Sequence, residues 1–279
     1  MPTETIGILH PGVMGIYIAA SALHSGHQVC YASEGRSNAT QARASEHDLR
    51  DLNTLAELCA KCSIIISVCP PHAAEDVAQR VIDHSFKGFY LDANAIAPQK
   101  AIRIGEMLSR TGITFVDGGI IGGPSWTPGE TWIYLSGKDA TRVEACFSAG
   151  LLETSIIGDE IGKASAIKMC YAAYTKGTTA LLTAIQALAE VNGVRTELSM
   201  QWERDESGFS QQAERRARRV TAKAWRFAGE MDEIASTFKF AGLPDGFHAA
   251  AGEVYRRLAH FKGAEEYPNL DAVLSALLE

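Results

Sequence analysis

The chain predicts an α/β fold: a doubly wound, mainly parallel sheet followed by an all-α domain, the two joined by a long interdomain helix. Three observations carry this. Short apolar runs alternate with helical patterns through the first half, strand signals cease in the second half, and a glycine turn links the first strand to the first helix.

Thr5–Leu9 reads as the first strand, Gly15–Ser25 as a helix that Gly26 ends, and Gln28–Tyr31 as the second strand. Ser63–Val68 (SIIISV) is a β-branched run suited to a strand buried on both faces. Phe89–Asp92 and Ile113–Val116 repeat the theme, with helical patterns at Ala73–Asp83 and Pro98–Arg110 between them. Strand, helix and strand at this spacing make right-handed crossovers and hence a parallel sheet. Thr131–Ser136 (TWIYLS) adds a further strand near an edge. Beyond Gly158 the pattern is helical only. Ile161–Val191 can be written as one helix of about 30 residues, interrupted only by Gly162 and Gly177, which would span about 45 Å. That is too long for one small domain to pack, so it joins the halves and offers a surface to a second subunit. The division falls at residues 1–160 and 161–279, with further helices at Leu198–Trp202, Ala213–Arg226, Ala228–Phe240, Gly246–Phe261 and Leu270–Leu278.

A length of 279 residues suits two domains, and 46% hydrophobic with 21% charged residues suits a soluble protein with a sizeable core. The net charge of −7 argues against nucleic acid and against an anionic membrane surface as partners. The one basic run, Arg215-Arg216-Ala217-Arg218-Arg219, reads as a solvated helix face. No signal peptide opens the sequence, and no apolar stretch approaches the roughly 18 residues of a membrane helix. The six cysteines lie among apolar neighbours. Cys59-Ala60-Lys61-Cys62 lacks a second pair or a histidine cluster to complete a metal site, so no metal is expected. The expected compartment is the cytoplasm.

Ile6–Gly15 (IGILHPGVMG) carries the first chemistry. A strand ending in a glycine turn that opens a helix offers backbone N–H groups and the helix's positive end to a pyrophosphate. Gly12 and Gly15 take the second and third glycine positions of that turn. His10 takes the first, and Pro11 sets the turn through its fixed φ. At the end of the second strand stands Ser33-Glu34-Gly35-Arg36-Ser37. Arg36 with Ser37 can clamp a 2′-phosphate, which favours NADP. Glu34, pointing inward, would repel that phosphate and suit the ribose hydroxyls of NAD.

Four segments in the same order resemble the 3-hydroxyacid dehydrogenase and 6-phosphogluconate dehydrogenase superfamily of NAD(P)-dependent oxidoreductases, in a poorly characterised branch of it. They are IGILHPGVMG, LDANAIAP (Leu91–Pro98), VDGGIIGGP (Val116–Pro124) and GKASAIKMCYAAYTKG (Gly162–Gly177). The resemblance implies a Rossmann-type cofactor domain touching the dinucleotide through His10, Pro11, Gly12, Val13, Met14, Ser33, Arg36, Ser37, Cys69, Pro70 and Asn94. It implies a hydride exchanged between a substrate carbon and the nicotinamide, with Lys168 as general acid or base, and a homodimer formed through the helical domain. A lysine among apolar neighbours has its pKa lowered towards the working range, which suits that role.

Two departures set this chain apart. Where the superfamily carries a serine ahead of two glycines to hold a substrate carboxylate, this chain has Ile121 before Gly122 and Gly123. Where it carries an asparagine one helical turn after the lysine, this chain has Tyr171 and Ala172, and Thr175 continues the same face. Ile121, Gly122, Gly123, Tyr171 and Thr175 are the substrate candidates, with Tyr171 also a candidate proton donor. Losing a hydroxyl and an amide argues for a small-molecule substrate less polar than a small hydroxy acid. Trp126 and Trp132 suit such a substrate if they face a cleft, and domain packing if they do not. Asp117 reads as a structural strand end. The leading expectation is an NADP-dependent enzyme acting on a carbonyl/alcohol pair. The alternatives are an imine reductase and a non-catalytic dinucleotide sensor. Retention of Lys168 favours the carbonyl.

Overall fold

The apolar runs of the first half form one eight-stranded sheet in the computed structural model, which describes residues 3–279. In chain order come β1 (Thr5–Ile8), α1 (Val13–His24), β2 (Gln28–Tyr31), α2 (Asn38–Glu46), β3 (Arg50–Asp51), α3 (Leu55–Lys61), β4 (Ile64–Ser67) and α4 (Ala74–Asp83). They continue with β5 (Phe89–Asp92), α5 (Pro98–Ser109), β6 (Thr114–Ile121), β7 (Trp132–Ser136), α6 (Ala140–Glu144) and β8 (Glu153–Ile156). The strand order is β3-β2-β1-β4-β5-β6-β7-β8, and every pair is parallel except β6 with β7. The order reverses between β1 and β4, so the loops leaving these two strands open a crevice at the carboxyl edge of the sheet, where dinucleotides bind in doubly wound folds.

The period of two along β4 sorts the core. Ile64 and Ile66 join Ile6, Ile8, Ile16 and Tyr17 on one side, while Ile65 joins Leu58, Val77 and Tyr90 on the other. All three isoleucines are fully buried, each contributing about 1.5–3 kcal/mol. That is why this strand reads as a continuous apolar run. Gly7 in β1 lets α3 approach, since a Cβ there would lie 2.5 Å from Leu58 Cδ2.

Contacts divide the chain into two units, Met1–Met169 and Cys170–Glu279. α7 (Lys163–Ala172) runs across this division. After it come α8 (Thr178–Val191), α9 (Arg195–Asp205), α10 (Phe209–Phe240), α11 (Gly246–Arg257) and α12 (Leu270–Leu278).

Several elements differ from the sequence reading. The helix expected over 161–191 is interrupted by a π turn at Ala173–Gly177. The two patterns at 213–226 and 228–240 are one helix of 32 residues, so α10 is the longest element. β6 runs on to Ile121, placing Asp117 inside the strand instead of at its end. β7 lies near the edge as the sequence reading had it, with β8, a strand that reading did not include, paired outside it. α2 gave no sequence signal because it buries only Ala44 and has no apolar stripe, and β3 is only two residues long. The basic run is not uniformly solvated: Arg216 is half-buried, with Nε and Nη2 donating to Thr179 Oγ1 and Nη2 also to Thr175 O.

Candidate functional site: the glycine turn, the Arg36 pocket and the Lys168 junction

The turn between β1 and α1 is closed by Gly12 N–H donating to His10 O at 2.8 Å. Its two glycines do different work. A Cβ on Gly15 would lie 2.1 Å from His10 O, so Gly15 lets helix and turn touch, whereas a Cβ on Gly12 would meet nothing within 4 Å. Gly12 therefore leaves open space at the start of a helix that has no side-chain cap, where its first N–H groups and positive end are available to an anion. Val13 is exposed there, and Met14 packs into the core. Arg43 of α2, which sequence reasoning missed, donates from Nη1 to Pro11 O at 3.3 Å and braces the turn.

His10, where the usual first glycine would be, faces a pocket lined by Leu9, Ala32, Glu34, Arg36, Leu55, Val77 and Arg80. His10 Nδ1 and Arg36 Nε are buried there without hydrogen-bond partners. Burial, together with the charges of Arg36 and Arg80, lowers the His10 pKa to about 4, so the ring is neutral at pH 7. Burial and the like charge of Arg80 also make the guanidinium form of Arg36 costlier than usual. Two guanidinium groups near a neutral histidine, with two unmet polar atoms, form a site that an anion would relieve. Arg80 went unnoticed because nothing in α4's pattern ties it to the turn. Glu34 lines the same pocket. Ser37 caps α2, its Oγ accepting from Thr40 N–H at 3.3 Å and lying 3.0 Å from Thr40 Oγ1. Ser33 N–H donates to Asp51 Oδ1.

At the ends of β4 and β5, Asn94 is buried and ties the loops together. Its Oδ1 accepts from Cys69 N–H at 2.5 Å, and its Nδ2 donates to Ser67 Oγ at 3.1 Å and Asp92 Oδ2 at 2.9 Å. Asn94 thus shapes the Cys69–Pro70 loop from behind. Pro70 is exposed and its carbonyl accepts from Ala73 N–H. Burial pushes the Cys69 thiol up to about 12 and the Asp92 carboxyl up to about 7.

Lys168 owes its position to the DGG run in β6. A Cβ on Gly119 would lie 2.2 Å from Ala164 O and 3.1 Å from Lys168 Cβ, so only glycine lets α7 cross this close. Asp117 anchors the start of α7. Its Oδ2 accepts from Gly162 N–H (2.9 Å), Ser165 N–H (3.0 Å) and Ser136 Oγ (3.1 Å), and its Oδ1 from Ser165 Oγ (2.6 Å). Lys168 Nζ then donates to Ile120 O at 2.6 Å. β6 is parallel to β5, β4 and β1, so Ile120 and Ile121 lie towards the same carboxyl edge as the turn. Beyond them, Gly122 has φ +108° and a Cβ on it would lie 2.4 Å from Glu130 O, while Gly123 is open. Trp126 stacks on His47 (centroids 5.5 Å, interplanar angle 3°) and meets Tyr17 edge-on, yet remains 53% exposed. Trp132 donates from Nε1 to Gly129 O.

Tyr171 and Thr175 fall in the second unit. Tyr171 is exposed, and the Thr175 hydroxyl donates to its carbonyl at 3.0 Å. Thr175 lies inside the π turn, a feature frequent at functional sites. Side chains meet carbonyls of that turn: Arg216 donates to Thr175 O and Tyr255 Oη to Lys176 O (2.8 Å).

Sheet order, the open glycine turn and the basic pocket beside it define a dinucleotide-binding fold. The chain belongs to the family described as the NAD binding domain of 6-phosphogluconate dehydrogenase, whose pattern matches residues 5–149. A second pattern, described as a domain of unknown function, matches residues 189–258. An uncharacterised 28.5 kDa protein in the 7S RNA 5′ region of Methanothermus fervidus is 29% identical over 165 residues, 59% of this chain and 63% of that protein, less than two thirds of its length. A conserved protein described as structurally similar to 3-hydroxyacid dehydrogenases is 26% identical, covers 92% of this chain and 97% of its own, and gives a TM-score of 0.68. The Mycobacterium tuberculosis 3-hydroxyisobutyrate dehydrogenase, solved with L-serine, shares the fold at 15% identity over the whole of both chains, with a TM-score of 0.73.

Proposed function

We propose that this protein is an NADP-dependent oxidoreductase acting on a carbonyl/alcohol pair, with Lys168 as its general acid and base. The observation that carries the reading is Lys168 itself, brought by Gly119 and Asp117 to the end of β6 with Nζ on Ile120 O. The NADP preference is supported by Arg36 and Arg80 around a pocket that leaves His10 Nδ1 and Arg36 Nε unmet.

When bound, the nicotinamide supplies or accepts the hydride. The chain's own residues do the rest. Gly12 and the first N–H groups of α1 hold the pyrophosphate, and Arg36, assisted by Arg80, holds the 2′-phosphate. In the reducing direction Lys168 Nζ gives a proton to the oxygen that becomes the alcohol, and in the oxidising direction it takes that proton back. The carbonyl of Ile120 orients the ammonium, while Gly122 and Gly123 line the substrate's approach. Ile121 in place of a hydroxyl donor suits a substrate less polar than a small hydroxy acid.

The test is turnover of NADPH with a panel of carbonyl compounds and imines. Lys168→Ala is expected to lower kcat by about 100-fold or more with NADPH affinity kept. Unchanged turnover in Lys168→Ala would remove the assignment, and turnover of imines alone would move the reaction to C=N reduction.

A further inference from the structure

The basic run that the cofactor chemistry leaves unused lines a groove of about 430 Å³ in the helical unit. Its walls are Thr179, Gln212, Arg215, Arg216, Arg219, Val220, Lys223 and Phe227. Arg215, Arg219 and Lys223 are spaced four residues apart on α10, so they form one stripe rising about 12 Å along the helix. Like charges at this spacing repel, and no carboxylate lines the groove. Two glutamates of the same helix are paired with other cations: Glu230 with Lys176 Nζ at 2.6 Å, and Glu214 with Arg218 Nη1 at 3.6 Å. None of Arg215, Arg219 and Lys223 has a carboxylate within 4 Å among the described residues. Arg216 is fixed by its bonds to Thr175 O and Thr179 Oγ1, which gives the groove a rigid cationic floor. Burial and the neighbouring Arg226 and Lys176 lower the Lys223 pKa, while Glu230 acts the other way. A chain with net charge −7 thus concentrates positive charge in one concave place with no carboxylate among its lining residues.

We propose that this groove is a binding site for a small organic anion carrying two or more phosphate or carboxylate groups, gripped by Arg215, Arg219 and Lys223 with Thr179 and Gln212 as neutral hydrogen-bond partners. Two anionic groups about 6 Å apart would each meet one turn of the stripe, and bidentate arginine contacts would set their orientation. The proposal is independent of the cofactor reading.

The experiment is calorimetric titration of the full chain with inorganic pyrophosphate in one arm and citrate in the other, with saturating NADPH present so that the glycine turn is not the reporter. Saturable binding that weakens about tenfold or more in the Arg215→Gln/Arg219→Gln double variant, and weakens as salt rises from about 50 to 200 mM, is the expected result. The arm that binds more tightly tells a phosphate ligand from a carboxylate one. The variant should keep the wild-type Tm and NADPH affinity, since both side chains are exposed. If the cofactor reading fails, NADPH does not bind, and the variant comparison without it still reports on the groove. Three results overturn the proposal: no saturable binding up to about 10 mM, equal affinity in the double variant, or a wild-type dimer that the double variant dissociates in sedimentation velocity. The last would make the groove a contact between copies of the chain.

Discussion

Replacing Asp117 by alanine should destabilise the first unit and unseat the helix that carries Lys168. The carboxylate accepts four hydrogen bonds, two from the backbone N–H groups of Gly162 and Ser165 and two from the hydroxyls of Ser136 and Ser165. The hydroxyls can turn to other acceptors, but the two N–H groups are left buried and unpaired, at about 1–3 kcal/mol each. Against that loss of about 2–6 kcal/mol stands the relief of removing a buried carboxyl whose pKa burial has raised. The net loss is about 3 kcal/mol, or about 6–12 °C in Tm for a unit of this size. Asp117→Asn keeps an oxygen for the Oδ2 contacts and should lose only about 1 kcal/mol. Urea unfolding read at equal m-value measures both variants. An alanine variant within about 1 kcal/mol of wild type would refute the view that this carboxylate fixes α7.

Asp92, buried with its pKa raised to about 7 from 3.8, favours the protonated form in the folded state. Its contribution to stability is complete below about pH 4 and is lost as pH rises through about 7, so Asp92→Asn should flatten stability over that window, as read by urea midpoints at several pH values. Gly12→Ala should fold with stability within about 0.5 kcal/mol of wild type yet bind NADPH at least about tenfold more weakly, because the space it fills is the proposed phosphate's. Gly15→Ala, with its Cβ 2.1 Å from His10 O, should instead lose about 1–3 kcal/mol of stability, seen as a lower Tm.

The sheet was legible because its evidence is local. β2 and β5 begin and end where the apolar runs do, and the buried isoleucines of β4 announce a strand covered on both faces. The path after residue 161 was only half legible. Helix periodicity cannot register a single π turn, and the side chains that meet its carbonyls, Arg216 and Tyr255, are distant in sequence. Tertiary partners hid the rest. Asp117 looked like a strand end because its four donors come from β7 and the start of α7. Arg80 and Arg43 reach the turn region from helices whose patterns give no hint of it. Asn94 lies in a segment that stood out in the sequence, but its side chain braces the Cys69 loop through contacts that spacing cannot show.

Whether the pocket around Arg36 receives the 2′-phosphate of NADP is read from titrations of NADPH and NADH into wild-type protein and Arg36→Ala. Wild type is expected to bind NADPH at least about tenfold more tightly than NADH, with the ratio falling to about one in the variant. Equal or tighter binding of NADH by wild type, or a ratio that Arg36→Ala leaves unchanged, would contradict it.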